Sequence, residues 1–253
     1  MKKIFLLLFT VTTLMMTGCL ETTEEITLNE DGSGTYTSIN DESKVVAIMK
    51  NMGMGGNKVP GLPMDSSFVM GGSSESVEGL SAEDVTMLKK GTMKIKANID
   101  DEVIVSTMTI PFSSLNELPK IKKVTAKSSI QSLEALMKKM AGGQTMPGMD
   151  QLGEVSSIAD YYTLEYESGE IKRKVNKEKY ANIASDKYME QLQQAAAMGV
   201  PITYDLIINL PKPAKEVEGK NAKLSADKMK VTVKGTIDDF YDNPEKLEFK
   251  VKY

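Results

Sequence analysis

Glu25-Ile-Thr-Leu-Asn-Glu-Asp-Gly-Ser-Gly-Thr-Tyr36 is the stretch that decides the fold. Ile26 and Leu28 alternate with Thr27 and Asn29, the period-2 pattern of a half-buried strand. Glu30 to Gly34 supplies a turn with Asp-Gly at its centre, and Tyr36 to Ile39 returns. Asp-Gly between two alternating runs predicts a hairpin, and so an antiparallel sheet.

The same signature recurs twice. Met93, Ile95, Ala97 and Ile99 alternate, Asp100-Asp-Glu102 turns, and Val103 to Ile110 returns, with Pro111 read as the end of the strand. Tyr162, Leu164 and Tyr166 alternate, Ser168-Gly169 turns, and Ile171, Arg173 and Val175 return. Helical patterns follow the hairpins. Asp41 is placed to cap a helix carrying Val45, Val46 and Ile48. Ser81 to Asp84 reads as a capping box for a short helix, and Ser128 with Gln131 as another, ahead of the stripe Ile130, Leu133, Leu136, Met137 and Met140. A long helix is expected from Asn176, with Tyr180, Ala184, Tyr188, Leu192 and Ala196 four residues apart, ending at Gly199 and Pro201. Ile202 to Leu210, Met229 to Ile237 and Leu247 to Tyr253 read as strands.

The predicted class is α+β: a mainly antiparallel sheet built from hairpins, with helices packed on one face. Residues 53–79 and 141–157 lose all periodicity and turn to Gly, Ser, Pro and Met, so flexible loops are expected there. Ala47 to Met52 before the first loop resembles Ala135 to Met140 before the second, which suggests an internal duplication of a hairpin–helix–loop unit.

Upstream of the first hairpin, Lys2 and Lys3 precede an apolar run from Ile4 to Met16, the charged start and short apolar core of a secretory signal. The run is too short to span a bilayer, which takes about 20 residues. Met16-Thr17-Gly18-Cys19 resembles the lipobox of bacterial lipoproteins. That resemblance implies cleavage after Gly18, so that residues 1–18 are a signal peptide and residues 19–253 one anchored body. It also implies diacylation of Cys19. Two or three acyl chains hold a protein on a membrane where one does not. Leu20 rather than Asp follows the cysteine, which by resemblance to Gram-negative sorting favours the outer membrane in a cell that has one.

Composition removes several classes of function. The 253 residues include 31 basic and 35 acidic ones, a formal charge of −4, and loss of Lys2 and Lys3 with the signal makes the mature chain more acidic still. Nucleic acid, which needs a basic surface, is not an expected partner. Histidine and tryptophan are absent and Cys19 is the only cysteine. The commonest general base, the commonest transition-metal ligand and any thiol chemistry therefore go with them.

Methionine is the residue in excess, at 18. Met49, Met52 and Met54 cluster, as do Met137, Met140, Met146 and Met149. Thioethers in M-x-x-M or M-x-M spacing are soft ligands suited to Cu(I). The same residues also read as apolar helix faces and adaptable loops, where Met fills gaps, and this second reading is favoured. Asn29 to Gly34 resembles the start of an EF-hand loop, but Asn40 stands where that loop needs a bidentate glutamate, and a hairpin turn explains each residue. Ser225-Ala-Asp-Lys228 matches S-x-x-K yet sits between strands as a turn. Asp100/Asp101 and Asp238/Asp239 read as solvated turn residues. The basic runs Lys120, Lys122, Lys123, Lys127 and Lys172, Arg173, Lys174, Lys177, Lys179 read as solvated faces. No catalytic residue, metal site or cofactor is assigned.

With Cys19 just upstream, the hairpin Glu25 to Tyr36 and the tail from Ile208-Asn-Leu-Pro211 through Leu224-Ser-Ala-Asp227 resemble a group of bacterial lipoproteins, loosely of the LppM type. The resemblance covers the two ends and implies an anchored envelope architecture, with no catalytic residues carried over. The expectation is a lipid-anchored, non-enzymatic envelope protein that binds a protein partner or an apolar ligand. A Met-based Cu(I) handler and an envelope enzyme are its rivals.

Overall fold

The computed structural model describes residues 20–44, 46, 63–70, 80–140, 158–167, 169–197 and 200–253. The three predicted hairpins form. Strands β1 (Leu20–Leu28) and β2 (Gly34–Asp41) pair antiparallel. In their turn Asp31 accepts a hydrogen bond from the Ser33 N–H (3.0 Å), and Gly32 takes a φ of +82° that a side chain would resist. Strands β4 (Thr92–Asn98) and β5 (Val103–Phe112) make the second hairpin. Strands β6 (Tyr162–Glu167) and β7 (Glu170–Val175) make the third.

The remaining strands are β3 (Met64–Val69), β8 (Ile202–Asn209), β9 (Glu216–Glu218), β10 (Ala222–Leu224), β11 (Lys230–Thr236) and β12 (Phe249–Lys252). They complete two sheets, of order β10-β11-β8-β1-β2-β5-β4-β3 and β6-β7-β12-β9. Among the described residues the only parallel pair is β1 with β8, from Leu20 opposite Ile202 to Thr27 opposite Asn209. The chain thus enters the larger sheet at its centre, with β1 paired to β8 from Leu20 and to β2 from Glu21.

Alternation decides which face is covered. Ile26, Leu28, Tyr36, Ile110, Leu206 and Val233 are buried on the inner face, while Thr23, Glu25, Thr27, Thr35 and Thr37 line a half-exposed outer face. Helix α2 (Leu118–Met140) packs on β2 and β5, and α5 (Ile237–Asp242) on β8 and β11. Leu118, Ile121 and Val124 of α2 are buried against the inner face, each contributing about 1.5–3 kcal/mol. The smaller sheet turns Ile171, Phe249 and Val251 into the same hydrophobic cluster.

Several local expectations are corrected. Ser128 does not cap a helix: it lies inside α2, which begins ten residues earlier at Leu118 with Pro119 in its first turn, where a missing N–H costs nothing. The lysine-rich connector is therefore helical. Pro111 does not end β5, which runs to Phe112. It lies past Thr109, the last β5 residue paired with β4, where β5 keeps only β2 as a partner. Residues 64–69, read as loop, form edge strand β3.

The long helix from Asn176 is broken. Asn176 caps α3 (Lys177–Ala181), a 3₁₀ turn follows at Ile183–Ser185, and α4 (Lys187–Ala197) starts afresh. Asp186 makes that restart by accepting from the N–H groups of Tyr188 (3.0 Å) and Met189 (3.1 Å). Asp238 and Asp239 stand in the first turn of α5, not in a loop, with Thr236 and Asp239 forming a capping box. The box at Ser81 and Asp84 does form, opening α1 (Ala82–Leu88). Asp41 accepts from the Ser43 N–H at 2.9 Å as a cap should, but Val45, Ile48, residues 141–157 and the first copy of the supposed repeat lie outside the described residues.

Candidate functional site

Core-facing positions of strands and helices call for apolar residues, and three charged side chains occupy such positions here. Glu24 is in phase with Ile26 and Leu28 on β1, Arg173 with Ile171 and Val175 on β7, and Lys122 follows Ile121 on the buried side of α2. All are buried, at 4%, 1% and 7% exposure. A buried charge is costly unless paired and hydrogen-bonded.

Glu24 is fully met. Its Oε1 accepts from the Tyr36 hydroxyl at 2.9 Å. Its Oε2 accepts from the Tyr204 hydroxyl at 2.8 Å and from Lys122 Nζ at 2.5 Å. Burial alone would raise the Glu24 pKa. The Lys122 charge, hydrogen bonds from Lys122 and Tyr204, and the Arg173 charge together reverse that and hold it below the usual carboxylate value. The two tyrosines respond in the opposite sense: burial, then for Tyr36 the adjacent Glu24 charge, pushes their pKa values far up, so both stay protonated donors.

Arg173 is met differently. Its guanidinium carbon lies 3.9 Å from the centroid of the Tyr162 ring and 5.1 Å from that of Tyr204. Cation–π contact of this kind contributes about 0.5–2 kcal/mol. Neither Nη1 nor Nη2 has a hydrogen-bond acceptor, and the buried Tyr166 hydroxyl on the neighbouring strand is likewise without a partner. The centre thus holds one carboxylate against two cations, with donors left over.

No protein-family model matches the chain. No curated protein matches it. Among solved structures, the NMR structure of the folded domain of Mycobacterium tuberculosis LppM is similar at 10% identity and a TM-score of 0.40, covering 93% of this chain and 91% of that one. It is a distant likeness.

The sequence placed Lys122 and Arg173 on solvated faces; the structure corrects both to the interior. Glu24, which no sequence motif marks, joins them there. Met137 and Met140 fall on α2 with side chains outside the described residues, and Met49, Met52, Met54, Met146 and Met149 lie outside them altogether, as does Cys19. Among the described residues no group of three or more Asp, Glu, His or Cys side chains is arranged to hold a metal. None of the described helices is long and apolar enough to cross a membrane.

Ser225 and Lys228 form a turn, closed by the Lys228 N–H donating to the Ser225 carbonyl at 3.0 Å. The Ser225 hydroxyl donates to Asp227 at 2.5 Å, and Lys228 sits at a φ of +59°. On the outer face an open groove of about 310 Å³ is lined by Glu21, Thr203, Asp205, Lys234 and Asp239. Lys234 is salt-bridged to Asp205, and Asp239 to Lys246 at 2.6 Å while it also caps α5, so those charges are committed.

Proposed function

We propose that the chain is a lipid-anchored lipoprotein of the bacterial cell envelope, attached through Cys19, that works by binding and not by catalysis. The observation that carries the reading is the start of β1. It begins at Leu20, one residue after the lipobox cysteine, and is paired with β8 from Leu20 and with β2 from Glu21. An anchor at Cys19 leads into the centre of the larger sheet without a tether and holds that end of the body against the membrane. In a cell with two membranes, Leu20 after the cysteine directs the protein to the outer one.

Binding is favoured over catalysis by the state of Glu24. Its carboxylate is 4% exposed and holds three internal donors, with its pKa kept below the usual carboxylate value, so it is a poor proton acceptor shut away from any substrate. What the body engages is a protein surface or an apolar molecule, met by the Met-rich segments within 53–79 and 141–157.

Fractionation of the host envelope tests the anchor. Wild-type protein is expected in the detergent-soluble membrane fraction and Cys19→Ala in the unprocessed precursor form. Equal processing and equal release of both proteins into the aqueous phase would remove the reading.

A further inference from the structure

Arg173 is the one described side chain whose buried charge is left without the acceptors it needs. It is 1% exposed, and Nη1 and Nη2, which carry four N–H donors between them, meet no acceptor. Glu24 does not answer this need: its carboxylate bonds to Tyr36, Tyr204 and Lys122, and not to Nη1 or Nη2. The rings of Tyr162 and Tyr204 meet the guanidinium through its π surface, leaving the in-plane N–H groups to find acceptors elsewhere.

A second orphan lies on the same face of the same sheet. Tyr166 pairs with Ile171, two residues from Arg173, so the two side chains are diagonal neighbours. The Tyr166 hydroxyl is buried without a partner. Burial pushes its pKa well up, with the Glu24 charge adding to the effect, so it is a donor and belongs to the same electrostatic centre. The site therefore offers a planar fork of donors, a neighbouring O–H and one positive charge more than Glu24 neutralises.

We propose that Arg173 and Tyr166 hold an oxyanion, a carboxylate or a phosphate, taken bidentate by Nη1 and Nη2. Two oxygens in one plane match the fork, and one negative charge balances the cluster. The source is either a free anion or the acidic head of a larger molecule. The proposal goes beyond the binding reading above: it adds an anionic ligand at a place in the fold distinct from the Met-rich segments.

The test uses the mature chain. Protein isolated from the host envelope without denaturation is weighed by native mass spectrometry. It is then unfolded, refolded in chloride, and titrated with acetate or inorganic phosphate at fixed ionic strength while Tm is read. The expected result is one acid per chain in the isolated protein, its mass separating a small anion from a larger acidic molecule. In the refolded protein, Tm should rise by roughly 5–10 °C at a hundredfold excess of acetate or phosphate over Kd. Arg173→Met should abolish the rise.

If that variant does not fold, Tyr166→Phe, which removes one donor and little volume, should weaken anion affinity severalfold. A bare isolated protein whose Tm is the same in chloride, acetate and phosphate would overturn the proposal. These readouts do not depend on acylation, so failure here is distinct from failure of the Cys19 assignment.

Discussion

Glu24 and Lys122 stand 98 residues apart in sequence and 2.5 Å apart in the fold, at 5% and 7% side-chain exposure. The pair ties the central strand to the helix that covers it. A contact of such sequence separation forms only once β1 is in the sheet and α2 is docked. Each charge buried without the other would oppose that docking.

Removing the carboxylate charge is therefore expected to be severe. Glu24→Gln leaves Lys122 and Arg173 buried without an anion and should cost about 3–5 kcal/mol, read as a drop in urea midpoint. A loss under about 1 kcal/mol would mean that the pair is hydrated in solution. The acid limb has a definite sign. The folded pKa of Glu24 is below its unfolded value, so its stabilisation is full above the ordinary carboxylate pKa and is lost as pH falls through the folded one.

Glu42 contributes in the opposite direction. It is 8% exposed, and burial, with a smaller push from Asp41, raises its pKa from 4.5 to about 8. The folded state holds this proton between pH 4.5 and about 8 while the unfolded chain has released it. Stability should therefore fall with rising pH across that window, by up to roughly 1.4 kcal/mol per unit. Glu42→Gln should flatten the profile between pH 5 and 8 and leave it more stable than wild type at pH 8. Parallel profiles for the two proteins would contradict the assignment.

Gly34 opens β2 with its α-carbon against Phe112. A Cβ there would clash with the Thr27 carbonyl oxygen and come within 2.6 Å of Phe112 Cζ. Gly34→Ala should destabilise by about 1–3 kcal/mol through forced displacement of the hairpin. Thermal unfolding measures it, and an unchanged Tm would show that the β1–β2 backbone and the Phe112 ring both shift at no cost.

Asp186 should behave as a joint. It caps α4 and accepts from the Tyr161 hydroxyl at 2.6 Å. Asp186→Ala removes both roles and should cost about 1–3 kcal/mol. Tyr161→Phe, which spares the cap, should cost less. Equal losses would put the whole effect in the hydroxyl contact.

The hairpins were legible because each carries its own evidence: alternation on both arms and a Gly or Asp at the turn, as in Asp31-Gly32 and Gly169. The parallel pairing of β1 with β8 was not, because nothing local specifies a partner some 180 residues away. The break at Asp186 was hidden by an apolar spacing that stays in register across it, and the start of α2 by Pro119 and the surrounding lysines.

The charged centre was nonetheless written in the sequence. Glu24 alternates in phase with Ile26 and Leu28, and Arg173 with Ile171 and Val175. Lys122 lies four residues after Leu118 and beside Ile121. A charge in phase with an apolar face is a site signal. Reading each lysine run as solvent-facing discarded it.

The most direct test of the account is the mass of the N-terminal peptide of the protein taken from its own host envelope. The expected peptide begins at Cys19, bears a thioether-linked diacylglycerol and continues with Leu20. A peptide retaining residues 1–18, or one with an unmodified Cys19 thiol, would contradict it.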